Sequence, residues 1–404
     1  MSMRWFTILA AGLAAQGACR AADSLSERVE EALTFSSEDN VIRAHFSGLA
    51  SVEAYQGDQY SPGFIFTTRD TLVNPRLVVY LDSQFGPSLY GFAQVRADKG
   101  FDPGASQANV RVDEYLIKFK PTQGLLEIEM GKFATIIGNW VVRHDAWQNP
   151  FVSAPLPYEF FTGIGDSQIP KFKYGSFSGG GALPYAYNPI IWGPGYATGA
   201  AVAGRSGQIE YAFEVKNAGP SSRPEYWSPA AQNFKYPSTS MRLGFRPDMR
   251  MHLGFSVSDS IYLAPDAAKT IPEGRRYRDY RELLLGEDFS FEWHRVQVWA
   301  ELFEARFAIP HVGAARCIAG YVEARYQFTP QFFGAVRFNR QVFSPLDYYG
   351  ETIRWGVDMS RIEIATTCRL TAFSQLKLQL TLKEPSTSAQ SRSLTSAVQF
   401  ALRF

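Results

Sequence analysis

The 404-residue chain contains no run of about 18 apolar residues, which excludes a transmembrane helix. Its longest apolar stretch, Trp5 to Ala15, is too short to cross about 30 Å of hydrocarbon. Neither sign of charge dominates. Lys+Arg number 40 against Asp+Glu 39, so neither a nucleic-acid partner nor strong overall steering of ions is expected. Histidine is scarce at five residues, 45, 144, 252, 294 and 311, without metal-ligand spacing. There is no Gly-x-Ser-x-Gly elbow and no Cys-x-x-Cys-His haem attachment. His144 and Asp145 form the only suggestive pair, and neighbours on a strand would point apart. No catalytic residue, metal or cofactor is therefore expected, and the chain does not read as an enzyme. Cysteine is also scarce, at three residues.

Aromatics are what the chain has in excess, at 15%, with Phe 31, Tyr 20 and Trp 8. They are distributed through segments that alternate apolar with polar residues, the period of a strand with two different faces. The last segment shows it best: Val398, Phe400, Leu402 and Phe404 share one face, and Ala397, Gln399, Ala401 and Arg403 the other. A final strand of this kind ending on Phe404 resembles the C-terminal signal of bacterial outer-membrane β-barrels. That resemblance implies assembly through Phe400, Leu402 and Phe404 by the barrel-assembly machinery. The N-terminus reads consistently with export. Arg4 supplies a positive start, Trp5 to Ala15 an apolar core, and Ala18, Ala21 and Ala22 small residues for cleavage. Residues 1–22 are expected to be a signal peptide and 23–40 a periplasmic leader, a short helix or a disordered segment, before a barrel over 41–404. Lipidation at Cys19 is disfavoured by Gln16, which stands where that motif wants a leucine-like residue.

Sixteen strands are predicted, at 44–56, 75–83, 87–97, 109–119, 125–133, 197–205, 208–216, 238–246, 250–259, 283–293, 295–308, 318–328, 331–341, 360–372, 375–384 and 395–404. Tight and long connections alternate along this series, as periplasmic turns and external loops do in barrels of this kind. Residues 134–196 form one long third external loop, or, if Gln168 to Gly175 pairs with Leu183 to Trp192, two further strands and eighteen in all. The prolines at 184 and 189 weigh against that pairing. Cys317 and Cys368 fall two strands apart, beyond the ~7 Å reach of a disulfide, and are expected to be free thiols.

Register assigns the faces. Leu376, Leu378, Leu380 and Leu382 alternate with Lys377, Gln379, Thr381 and Lys383. The lysines must look inward, because a lysine at the bilayer midplane costs ~2–4 kcal/mol. The same rule turns Arg242, Arg246, Glu292, Glu301, Glu323, Arg325, Arg337, Arg361, Glu363 and Arg369 into the lumen, together with Glu210, Glu214 and Lys216. A sixteen-stranded cylinder with a charged interior is wide enough for water.

The layout resembles the general porins, in which the loop after the fifth strand folds inward and narrows the lumen. In this chain that loop carries Trp140, Arg143, His144, Asp145 and Trp147, which the resemblance makes the constriction candidates; the alternative is a cap pinned at the rim. Gly131, Phe133 and Gly138 also resemble a short Gly-x-Phe…Gly stretch of the phosphate-selective porin-like family. Arg275, Arg276, Arg278 and Arg281 form an external basic patch, facing anions at the mouth or lipopolysaccharide headgroups. Tyr158, Phe160, Phe161, Tyr185, Tyr187 and Trp192 offer either a stacking track or loop packing. The resemblance further implies an outer-membrane homotrimer, with small outward residues Gly48, Ala50 and Ala54 suited to a subunit contact. The expected function is passive diffusion of small hydrophilic solutes or ions through a water-filled barrel, against a closed barrel that docks a partner protein or electron-transfer conduit.

Overall fold

A computed structural model describes residues 32–57, 71–99, 108–122, 124–166, 187–232, 234–264, 267, 271–348, 351–354, 356–386 and 392–404. The chain forms a closed antiparallel barrel of sixteen strands: β1 Ile42–Gly57, β2 Thr71–Phe85, β3 Leu89–Asp98, β4 Asn109–Thr122, β5 Leu126–Phe133, β6 Ala197–Ser206, β7 Ile209–Lys216, β8 Ser238–Phe245, β9 Met251–Ile261, β10 Arg281–Trp293, β11 Val296–Ile309, β12 Gly313–Gln327, β13 Phe332–Phe343, β14 Met359–Arg369, β15 Ser374–Pro385 and β16 Ser393–Arg403. Each strand pairs with its neighbours in sequence. Closure comes from β16 on β1, in a register running from Thr395 opposite Gly57 to Arg403 opposite Leu49. The count is sixteen because β5 pairs directly with β6, Glu127 opposite Ala203 through Phe133 opposite Ala197, which leaves no gap for an inserted pair. Gln168 to Gly175 lies outside the described residues.

Period-two burial follows the sequence alternation on almost every strand. On β15, Lys377, Gln379 and Thr381 are buried while Leu378 and Leu380 are exposed. On β16, Ala397, Gln399 and Ala401 are buried, and Val398, Phe400 and Leu402 are exposed. A strand that buries its polar side and exposes its leucines is inside out for water and correct for lipid. Among the described residues no helix is long and apolar enough to cross a membrane; the crossing elements are strands.

Three details depart from the sequence expectation. Within the leader, Thr34–Ser36 is a short strand on β1, with Thr34 opposite His45, rather than a helix. The chain turns back through Asn40 at φ 56°. The outer connection between β11 and β12 is only residues 310–312, because both strands extend past their predicted ends. His311 at φ 62° and Gly313 at φ 107° supply the left-handed geometry of that tight turn. On β4 a bulge beside Asp113 interrupts the alternation, where the partner register slips between Gln94 and Val95. Asp113 and Glu114 consequently both turn inward.

The closing seam shows why residue 48 is glycine. Gly48 and Phe404 exchange both backbone hydrogen bonds, at 2.8 and 3.0 Å, and the terminal ring lies where a Cβ at 48 would stand. Cys317 and Cys368, on β12 and β14, are free.

Most ionisable side chains on the outward face lie toward the long-loop ends of β9 to β13 and are paired there. Arg281 meets Asp259 at 2.6 Å, and Glu304 meets Arg306 and Arg316 at 2.5 and 2.7 Å. Glu287 is different. It stands exposed midway along β10, between outward Leu285 and Phe289, with no ion pair among the described residues. A carboxylate in an apolar band weakens a barrel. Glu287→Leu is therefore expected to raise the unfolding free energy by about 1–2 kcal/mol in urea titrations of lipid-reconstituted protein. Destabilisation instead would mean that the carboxylate has a partner.

Candidate constriction and vestibule

After Phe133 the chain leaves the wall and enters the barrel. Glu214 on β7 receives the first loop residues, accepting from Thr135 Oγ1 at 2.9 Å and the Ile136 amide at 3.3 Å. Gly138 then turns the chain at φ 76°, where a Cβ would strike the Tyr158 hydroxyl and the Glu301 carboxylate. A glycine is needed here for both conformation and space. Just beyond it, Glu301 on β11 accepts from the amides of Asn139 and Trp140, the latter at 2.8 Å, and from Tyr158 Oη at 2.8 Å.

The loop continues across the lumen to the opposite wall. Arg143 ion-pairs with Glu323 at 2.6 Å, hydrogen-bonds Tyr321 at 3.0 Å and lies 4.3 Å over the Trp299 ring. Lys377 donates to the carbonyls of Ala146, at 2.6 Å, and Asn149. Gln379 accepts the Val152 amide at 2.6 Å, and Asn339 accepts the Leu156 amide at 3.1 Å. Arg337 donates to the Ser153 carbonyl at 2.9 Å while pairing with Glu363 at 2.6 Å and Glu323 at 3.3 Å. Arg361 bonds Glu159 and the Ala154 carbonyl and pairs with Glu363 at 3.2 Å. Buried charges of this density persist only when each is bonded, and the loop backbone supplies many of the partners.

The constriction candidates thus have defined places. Trp140 packs against Tyr158 at a centroid distance of 4.6 Å. His144 donates through Nδ1 to the Val141 carbonyl at 2.5 Å and accepts from Tyr196 Oη at 2.8 Å. Asp145 caps a turn by accepting the amides of Trp147 and Gln148, both at 2.7 Å. Trp147 borders a cavity of about 800 Å³ on the tight-turn side of the loop, lined also by Tyr80, Asp82, Glu114, Lys118 and Glu129.

The twelve lumen candidates differ in what they touch. Glu301, Glu323, Arg337, Arg361, Glu363 and Lys377 are buried and bonded to the loop or to one another. Arg242 pairs with Asp288 at 2.7 Å and Arg246 with Glu210 at 3.0 Å. Glu292 is exposed near the tight-turn end, Lys383 is partly buried near the long-loop end, and Arg325 and Arg369 are partly buried near the tight turns. Of the external patch, Arg275, Arg276 and Arg278 are exposed on the connection before β10. Arg281 is the first residue of β10 and engages Asp259. Tyr158 and Trp192 are fully buried packing residues, whereas Tyr185 lies outside the described residues.

A second inward cluster escaped the sequence reading. Arg76, Arg96 and Arg111, on β2, β3 and β4, face Glu53, Asp98 and Asp113. Arg76 meets Glu53 at 3.2 Å, Arg96 meets Asp113 at 3.6 Å, and Arg111 meets Asp98 and Asp113 at 2.6 and 2.7 Å. The register of Arg76 against Leu77 and Arg96 against Val95 gives them away; the bulge at Asp113 disguises the acidic half.

Neither a family model nor a curated protein matches the chain. Solved structures do match its fold. OmpF of Salmonella typhi, in complex with daunomycin, aligns at TM-score 0.56 and 12% identity over 92% of this chain and 100% of that one. The anion-selective porin of Comamonas acidovorans aligns at 0.55 and 9% over 90% and 100%. The channel DcaP of Acinetobacter baumannii aligns at 0.55 and 8% over 92% and 99%. The chain therefore has the closed sixteen-stranded fold of the outer-membrane porins.

Two consequences follow for the loop. Glu301→Ala strips three donors of their acceptor, at an expected cost of about 2–3 kcal/mol. Hydrogen exchange at the Asn139 and Trp140 amides should accelerate at least roughly thirtyfold, and unchanged protection would mean that other contacts hold the loop. For His144, burial and then the nearby Arg96 charge push the pKa down to about 4. Folding thus favours the neutral ring, so its contribution is full above about pH 6.5 and is lost as pH falls through about 4. Wild type should lose stability relative to His144→Asn across that interval, a difference read from paired melting curves; parallel curves would contradict it.

Proposed function

We propose that this chain is an outer-membrane porin, allowing small hydrophilic solutes to diffuse through a barrel narrowed by the loop over 134–196. The observation that carries this reading is the combination of a closed sixteen-stranded fold with a charged inner face and a cavity of about 800 Å³ beneath the loop, lined in part by Asp82, Glu114, Lys118 and Glu129. Barrels of this width are not filled by wall side chains alone. Trp140, Arg143, His144, Asp145 and Trp147 form the narrow zone, held by Glu301, Glu323 and Lys377. Beside it, one wall carries Arg76, Arg96 and Arg111 ion-paired to Glu53, Asp98 and Asp113, a dense patch of mixed charge facing the lumen.

The remaining features fit the same reading. Residues 1–22 direct export and are removed, and residues 23–40 remain periplasmic. Phe400, Leu402 and Phe404 present the assembly signal. Ala50 and Ala54 form a flat outward strip for a homotrimer contact, beside Gly48 under the Phe404 ring. The exposed arginines at 275, 276 and 278 meet anionic headgroups of lipopolysaccharide.

One observation favours a second reading, a closed barrel that docks a partner. The loop is bonded densely to β11 through β15, and those inner side chains are buried. Planar-bilayer recording from refolded protein separates the two. Stepwise openings are expected, with a finite reversal potential under a salt gradient. A correctly folded barrel that passes no current would overturn the porin reading in favour of docking.

A further inference from the structure

Most cations inside this barrel are matched to carboxylates or carbonyls. Three near the tight-turn end have no carboxylate partner among the described residues. Arg325 on β12, Arg369 on β14 and Arg403 at the end of β16 make no ion pair within 4.0 Å among the described residues. Arg325 and Arg369 make no side-chain hydrogen bond there either, whereas Arg403 Nε donates to the Ala372 carbonyl at 3.2 Å. Rings hold them instead. Arg325 lies 4.3 Å over Phe333, whose ring Arg369 also meets at 4.8 Å; Arg369 in turn lies 5.8 Å from Trp147, which Arg403 meets at 4.4 Å. The result is a file of alternating guanidinium and ring: Arg325, Phe333, Arg369, Trp147, Arg403.

This arrangement has a chemical meaning. A ring covers the face of a guanidinium and leaves its N–H edge free, and that edge matches the two oxygens of a carboxylate. The three cations are also within electrostatic reach of one another, Arg369 acting on Arg325 and Arg403 on Arg369. Their grouping therefore costs energy that a bound anion would recover. The acids that reach this zone are committed or set apart. Glu292 and Glu323 both act on Arg325 electrostatically, but neither forms an ion pair with it; Glu323 is bonded to Arg143 and Arg337, and Glu292 stands exposed on β10. Lys377, the remaining cation, is turned to loop carbonyls.

Behind Trp147 the file borders a recess of about 20 Å³, lined by Asn149, Arg325, Phe333, Thr367 and Arg369. That is room for one water-sized group. Trp147 and Gln148 border both this recess and the 800 Å³ vestibule, so a solute can lodge one end in the first and keep its body in the second.

We propose that this recess is a subsite for the carboxylate of a small organic acid, gripped by the edges of Arg325 and Arg369 with Arg403 at its mouth. The subsite names a solute class for the pore and rests on the porin reading for the route by which that solute arrives. The planar guanidinium fork matches the two coplanar oxygens of a carboxylate, and the recess has room for one of them.

The test is calorimetric titration of the full barrel in detergent with succinate and, separately, with inorganic phosphate. Wild type is expected to bind succinate more tightly than phosphate. Arg325→Gln/Arg369→Gln should weaken succinate about tenfold or more, the loss of a bidentate charge-assisted contact. Arg369→Lys keeps the charge and the fold while removing the planar fork, and it should weaken succinate with less effect on phosphate. Equal succinate binding by wild type and both variants, or none by wild type, overturns the subsite; tighter phosphate binding overturns the carboxylate assignment. Binding is read without current, so a barrel that binds but does not conduct loses the porin reading alone. One that conducts but does not bind loses the subsite alone.

Discussion

The constraint on which everything else depends is that hydrocarbon offers no hydrogen-bond partner to a backbone amide or carbonyl. A strand facing lipid must be paired on both edges, and sixteen strands achieve this only when the last pairs with the first. Closure fixes which residues face in. Because successive side chains alternate, the lipid then demands apolar residues at every second position and leaves the others free for charge. Leu378 and Lys377 are consecutive residues with opposite surroundings for this reason alone.

The same constraint reaches the loop inside the barrel. Its backbone groups are removed from bulk water without a sheet to join, so wall side chains take over as partners. Glu301 accepts amides as a helix-capping residue would, and Lys377, Arg337 and Arg361 satisfy carbonyls. Much of the charge that register assigns to the lumen is engaged in this task. Arg337 and Glu363 are wholly buried, and a charge in that position is tolerable only with its bonds complete. The charge that stays available inside the barrel belongs instead to groups that the loop leaves alone.

The fold was legible because one rule, period two with aromatic ends, acts on every strand. Strand ends were less so. Ala314 and Ala315 carry little facial signal, so the start of β12 was placed late and the three-residue turn before it was missed. The loop's course was not legible at all beyond its location, since it depends on single bonds between residues such as Ser153 and Glu363, 210 positions apart. Inward orientation of Arg325 and Arg369 could be read from register. Their assembly around Phe333 and Trp147 could not, because it combines side chains of three neighbouring strands with the resting place of one loop residue.

The seam between β1 and β16 joins parts of the chain that are furthest apart in order of synthesis. Gln399 donates to Glu53 across 346 positions, and Phe404 covers Gly48. A polypeptide that lacks β16 cannot make these contacts. A chain halted before β16 would keep two unpaired edges, each a template for further strand addition. Closure therefore waits for β16: the cylinder can become edgeless only after that strand has been made, which separates closed barrels from open sheets by geometry alone.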